Sequence, residues 1–148
     1  MAIHDIVYGF CKNFCKVEVM AKSDLEERLK ELEDKAKGVI LYKDNSVEAV
    51  QDTYTLTLND VYTNYETIEV IFTFTGTKVQ SSLKMLPSVG NKSRMVIADA
   101  RTGAVSVAKA MITFAGNKAT VNDGKTFDTG NFEAGNQIRV NRIIGYKG

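Results

Sequence analysis

The feature that most constrains this chain is strict alternation of side-chain character over its C-terminal three-quarters. In Ile68-Glu69-Val70-Ile71-Phe72-Thr73-Phe74-Thr75, residues Ile68, Val70, Phe72 and Phe74 fall on one face. In Thr53-Tyr54-Thr55-Leu56-Thr57-Leu58, residues Tyr54, Leu56 and Leu58 do the same. A period of two at β-branched and aromatic positions is the pattern of a half-buried strand, and it excludes a helix over the same residues. Similar texture predicts strands over Gly38–Tyr42, Val79–Leu86, Arg94–Ala100, Val105–Phe114, Ala119–Asn122 and Gln137–Tyr146. Turn residues stand between them: Lys43-Asp44-Asn45-Ser46, Thr75-Gly76-Thr77, Ala115-Gly116-Asn117, Asn122-Asp123-Gly124 and Glu133-Ala134-Gly135-Asn136. About eight short strands with no interleaved helix predict a mainly β fold, an antiparallel β-sandwich or jelly roll.

A different period precedes the strands. Leu25, Leu29, Leu32 and Ala36 are spaced four, three and four apart, the a/d seam of a short coiled coil. Ser23-Asp24-Leu25-Glu26 reads as a capping box, with acids in the first turn, Lys35 and Lys37 in the last, and Gly38 as the stop. In this register Arg28 occupies a g position and Glu33 the following e, an opposite-charge pairing suited to parallel self-association. The same stripe would serve an amphipathic helix lying on the domain's own core. The narrowness of the stripe and the charge all around it favour oligomerisation, since a helix of about 15 residues needs a partner to be stable. The expected organisation is therefore a segment 1–22, a coiled-coil helix 23–37 and a β domain 38–148.

The chemistry-bearing residues are few. Lys+Arg number 19 and Asp+Glu 18 in 148 residues, a net charge of +1, which argues against a nucleic-acid-binding protein, so no nucleic-acid partner is expected. No apolar run is long enough for a membrane helix, so no membrane partner is expected. The first ten residues carry Asp5 and lack a basic region, so they do not read as a signal peptide. His4 is the one histidine, which removes most histidine-based catalysis. No Gly-x-Ser-x-Gly motif or phosphate-binding glycine loop is present. Asp99, Asp123, Asp128 and Glu133 are carboxylates of turn or surface type, for which acid–base work is the less favoured reading. Cys11 and Cys15 are the candidate metal ligands; a zinc site wants four, so two chains or more would have to share it, and packing is the favoured role. No cofactor and no enzymatic activity are expected. The polar stretches Pro87–Arg94 and Asp123–Asn136 read as long loops able to contact a sugar or protein.

The order Val39-Ile40-Leu41-Tyr42, Thr55-Leu56-Thr57-Leu58-Asn59-Asp60, Asn64-Tyr65-Glu66-Thr67-Ile68-Glu69-Val70 and Ile143-Ile144-Gly145-Tyr146 resembles C-terminal head domains of fibre and baseplate proteins of phages and prophages of Gram-positive and gut bacteria. The segment Tyr8-Gly9-Phe10-Cys11 with Cys15 is similar to N-terminal segments of small phage structural proteins. The resemblance implies a virion structural protein, made in the host cytoplasm, in which a homotrimer displays β-sandwich heads. It implies docking on other virion proteins through residues 1–22 and attachment to a host-surface glycan or protein. A stalk of two heptads is short for a tail fibre and fits a head fibre, decoration protein or baseplate knob. A dimer is compatible with the same helix. The competing expectation is a carbohydrate-binding module of a cell-surface enzyme.

Overall fold

In a computed structural model of the chain, residues 21–100, 105–128 and 131–148 are described. The chain divides after Lys37, and residues 38–148 form a compact unit of their own. Among the described residues the strands are β1 Val39–Lys43, β2 Tyr54–Thr57, β3 Thr67–Phe74, β4 Val79–Met85, β5 Lys92–Asp99, β6 Ser106–Ala115, β7 Lys118–Asp128, β8 Asn131–Ala134 and β9 Ile138–Tyr146, with a 3₁₀ turn at Tyr62–Asn64. All pairings are antiparallel. One sheet has the order β1-β9-β3-β4; the other has β2-β7-β6-β5, with β8 hydrogen-bonded to the far half of β7. The fold is thus mainly β, two antiparallel sheets around one core, as in a β-sandwich.

The alternation that announces the strands also builds the core. Ile68, Val70, Phe72 and Phe74 of β3 are all buried, and they face Met95 and Ile97 of β5, Ile112 and Phe114 of β6, and Ala119 and Val121 of β7 within one cluster. A period of two puts every second residue on the core face, so a register slip by one residue would expose that whole set. Tyr62 leans its ring on Phe114 at a centroid separation of 5.3 Å, closing one end of the core.

The hairpins are set by their turn residues. Gly116 has φ +58°, and the Gly116-Asn117 pair makes a two-residue connection between β6 and β7, with Ala115 opposite Lys118. The β3–β4 connection runs through Thr75, Gly76, Thr77 and Lys78, with Phe74 opposite Val79 and Lys78 at φ +61°.

Three expectations need correction. Asn122-Asp123-Gly124 is not a turn between strands but a bulge inside the 11-residue β7. Lys109 pairs with Lys125 and Met111 with Asn122, so Asp123 (φ +51°) and Gly124 together oppose Ala110. An Asp-Gly pair supplies left-handed backbone for a bulge as readily as for a turn. The stretch Asp123–Asn136 is accordingly not a long loop: it holds the second half of β7 and all of β8. Ser23 is not the helix start, because residues 21 and 22 are already helical; α1 covers residues 21–36 of the described chain. Ala21 and Lys22 are strong helix formers, which outweigh the capping preference of Ser23.

Candidate functional site

Among the described residues no cluster of catalytic type stands out; those that could act outward lie on surfaces. The first surface is α1. Leu25, Leu29 and Leu32 are 65%, 58% and 63% exposed, and Arg28, Glu33 and Ala36 are exposed as well. The helix carries an i,i+3 ion pair between Asp34 and Lys37 at 3.6 Å, too exposed to stabilise much. The expected seam is therefore present as a helical stripe of the right period, with its leucines in water.

The second surface is the outer face of the β1-β9-β3-β4 sheet. Ile40 pairs with Ile144, and Ile71 stands one row further along β3, opposite Arg142. Ile40 is 45% exposed, and Ile71 and Ile144 are half-buried. Around them Tyr146 donates its hydroxyl to Glu69 Oε2 at 2.8 Å, and Lys84 Nζ lies 5.7 Å from the Tyr146 ring centre. Hydrogen bonding to Glu69 and burial both raise the Tyr146 pKa. Gly38 sits against this patch with φ +56°. A Cβ there would come within 2.6 Å of Ile144 Cγ2 and 2.7 Å of Tyr146 Cε1, so only glycine lets the backbone lie so close.

A polar lock holds the middle of β9. Both of β9's ladders carry a bulge: Leu41 is the extra residue on β1, and Asn141 is the extra residue opposite β3. The Asn141 amide lies with Thr73 beneath the loop that follows β1, where it is buried. Its Oδ1 accepts from Thr73 Oγ1 at 2.5 Å, and its Nδ2 donates to the carbonyls of Asp44 (3.2 Å) and Ser46 (2.7 Å). Beside it Arg139 donates from Nε (3.0 Å) and Nη2 (2.5 Å) to Asp44 Oδ2, and from Nη1 to the Glu48 carbonyl. The Ser46 backbone N–H, followed by Arg139, holds the Asp44 carboxyl below its usual range against a smaller opposing effect of burial. Tyr54 spans the same edge, donating to Ile138 O (2.8 Å) and accepting from Val140 N (3.1 Å); burial pushes its pKa up to about 12. These groups bond chiefly to one another, as in a structural network, and pin the loop after β1.

A cleft of about 700 Å³ is lined by Thr63, Asn64, Tyr65, Leu86, Pro87 and Lys147 among others. Asn64 and Tyr65 of one wall are tied to Asp60, which accepts from Val61 N, Asn64 Nδ2 and Tyr65 OH, and the first of these does most to lower its pKa.

Cys11 and Cys15 lie outside the described residues, as does segment 1–22 up to residue 20. Among the described residues no group of three or more His, Cys, Asp or Glu side chains could hold a metal. Of the candidate carboxylates, Asp99 is buried on β5 and Asp123 is exposed at the bulge, while the side chains of Asp128 and Glu133 are outside the description. No described helix is long and apolar enough to cross a membrane. Set against models of known protein families and against curated protein sequences, the chain matches none.

Proposed function

We propose that the chain is a virion structural protein: a short homotrimeric fibre or knob, as a head fibre, decoration or baseplate-associated protein. In this reading residues 1–22 dock on the particle, α1 joins three copies in a parallel coiled coil, and residues 38–148 are the displayed head. The observation that carries it is the helix whose heptad leucines are all more than half exposed. Leucine side chains left in water over two heptads lose roughly 1.5–3 kcal/mol each relative to burial, which a second and third copy would recover. The apolar strip Ile40, Ile144 and Ile71 supports it further, because it flanks Gly38, the residue at which the head begins. The head is read as a plain sandwich rather than a jelly roll. The β3–β4 hairpin and the β5-β6-β7 meander pair sequence neighbours within one sheet, whereas a jelly roll sends most successive strands to opposite sheets.

The test is the mass of the full chain in solution. At micromolar concentration it is expected at three times the 16.4 kDa of one chain, with monomer recovered when Leu29 and Leu32 are both changed to Asn. A wild-type monomer sinks the reading; a trimer untouched by the double substitution moves the contact from α1 to the sheet. A carbohydrate-binding module ranks second because every described aromatic ring is at least partly buried, leaving no flat exposed platform among the described residues for a sugar to stack on.

A further inference from the structure

Three separate stretches of the head meet in the cleft of about 700 Å³: residues 63–67 at the start of β3, residues 86–88 after β4, and Lys147 and Gly148 after β9. The pairings of Thr67 with Tyr146 and of Ile68 with Met85 bring them to the same end of one sheet. Backbone bonds set the walls. Asn64 N donates to Val61 O at 3.1 Å and Glu66 N to Tyr146 O at 2.9 Å, while Val89 N and Gly90 N both donate to Leu86 O, at 2.9 and 3.3 Å. The Asn64 amide nitrogen is spent on Asp60, which leaves its Oδ1 as the end free to accept from a ligand. The Glu66 side chain is exposed, lies against Gly148, and accepts no hydrogen bond from a described residue. Lys147 Nζ stands 5.7 Å from the centre of the Tyr65 ring, and its charge acts on Asp60. The cleft therefore has ordered walls and polar groups that the head itself leaves unused.

We propose that this cleft binds a neutral oligosaccharide. A sugar ring carries hydroxyls around its rim and C–H groups on its faces, so its site needs acceptors, donors and small apolar surfaces side by side. Here Asn64 and Glu66 supply acceptors, Lys147 supplies donors, Ser88 supplies a hydroxyl that serves as either, and Leu86 and Pro87 supply the apolar surface. The two oxygens of the Glu66 carboxylate can accept from two adjacent hydroxyls at once. The volume falls within the roughly 300–1,000 Å³ of small-molecule sites. No aromatic platform is needed, because these groups grip a ring by its edge rather than its face. Charge selects a neutral ligand over an acidic one. Lys147 is the one cation among the lining residues, it already faces Tyr65 and Asp60, and the Glu66 carboxylate beside it repels a uronate or a phosphate. The inference deepens the reading of residues 38–148 as a displayed head, and rests on it for its biological sense, by naming the chemistry of the host-surface target.

The experiment presents the full chain to an array of immobilised neutral and acidic oligosaccharides, then measures the tightest neutral one by calorimetry at low and physiological salt. Binding to at least one neutral oligosaccharide is expected, with an affinity that changes less than threefold between the two salts. Glu66→Gln, which replaces one of the two acceptor oxygens by a donor, should weaken it at least fivefold. Ser88→Trp, which fills the cleft from an exposed position, should abolish it, with the circular dichroism spectrum unchanged in both variants. Glu48→Gln, the same change on the exposed loop after β1, should leave binding within twofold. Absence of binding to every neutral oligosaccharide, tighter binding to the acidic ones, unchanged binding by Glu66→Gln or Ser88→Trp, or equal loss in Glu48→Gln would each overturn the proposal. The mass of the same sample is read in parallel: a monomer that binds overturns the fibre reading alone, and a trimer that does not bind overturns the oligosaccharide cleft alone.

Discussion

Asn141 is the residue on which the sheet edge most depends. It sits in a bulge, buried, and ties three partners at once: the Thr73 hydroxyl and the carbonyls of Asp44 and Ser46. Asn141→Ala removes all three bonds and takes from the buried Thr73 hydroxyl and the half-buried Asp44 and Ser46 carbonyls the partner they share. The expected loss is about 2–4 kcal/mol in urea unfolding, and a loss under about 1 kcal/mol would mean that water replaces the amide. Nothing in the sequence singles Asn141 out, because a bulge is a relation between strands some 70 residues apart, not a local pattern. Asp44 is a different case: Lys43-Asp44-Asn45-Ser46 is legible as a turn, but its ion pair with Arg139 is not. Since its folded pKa lies below the unfolded value, Asp44 contributes stability that is fully present above about pH 4 and is lost as pH falls through the folded pKa. Asp44→Asn is therefore expected to flatten the acid limb of stability against pH, and an acid limb of unchanged slope would show that other carboxylates govern it.

At the scale of elements, β7 teaches how far local signals reach. The alternation of β3 fixes both its identity and its core face, because all of its information is within eight residues. In β7 the Asp-Gly pair mimics a hairpin turn, and only the partner strand β6 reveals that the chain carries straight on. The bulge has a purpose visible in packing. A Cβ on Gly124 would lie 2.4 Å from Asn136 Cβ and 2.5 Å from its Cα, so the absence of a side chain lets the approach to β9 press against β7. Gly135 N donates to Gly124 O at 3.2 Å across the same contact. Gly124→Ala should therefore cost about 1–3 kcal/mol and lower the midpoint of chemical denaturation, while Gly90→Ala, which meets nothing within 4 Å, should be nearly silent. Equal effects at the two glycines would remove the close-packing account.

On the whole-molecule scale the chain is two units with different debts. Residues 38–148 carry an internal core to which both sheets contribute, so that fragment is expected to unfold in one cooperative step whose midpoint does not depend on concentration. Helicity of the full chain, in contrast, should fall on dilution, as α1 has too few residues and too much exposed leucine to stand alone. A fragment that fails to fold would show that the head needs α1. The boundary between the units was legible at Gly38, since a change from period 3.5 to period two is a strong local signal; the sheet order was not, because it rests on contacts between distant strands. That order has a consequence for synthesis. The ribosome delivers β9 after every other strand, yet β9 lies between β1 and β3 in the middle of its sheet. Until residues 138–146 emerge, β1 has no neighbour in that sheet and β3 has an open flank. A nascent chain stalled before that point would hold the β3–β4 hairpin and the β5-β6-β7 meander but no closed head. Closure of the head therefore waits on the ninth strand, whatever local hairpins have already formed.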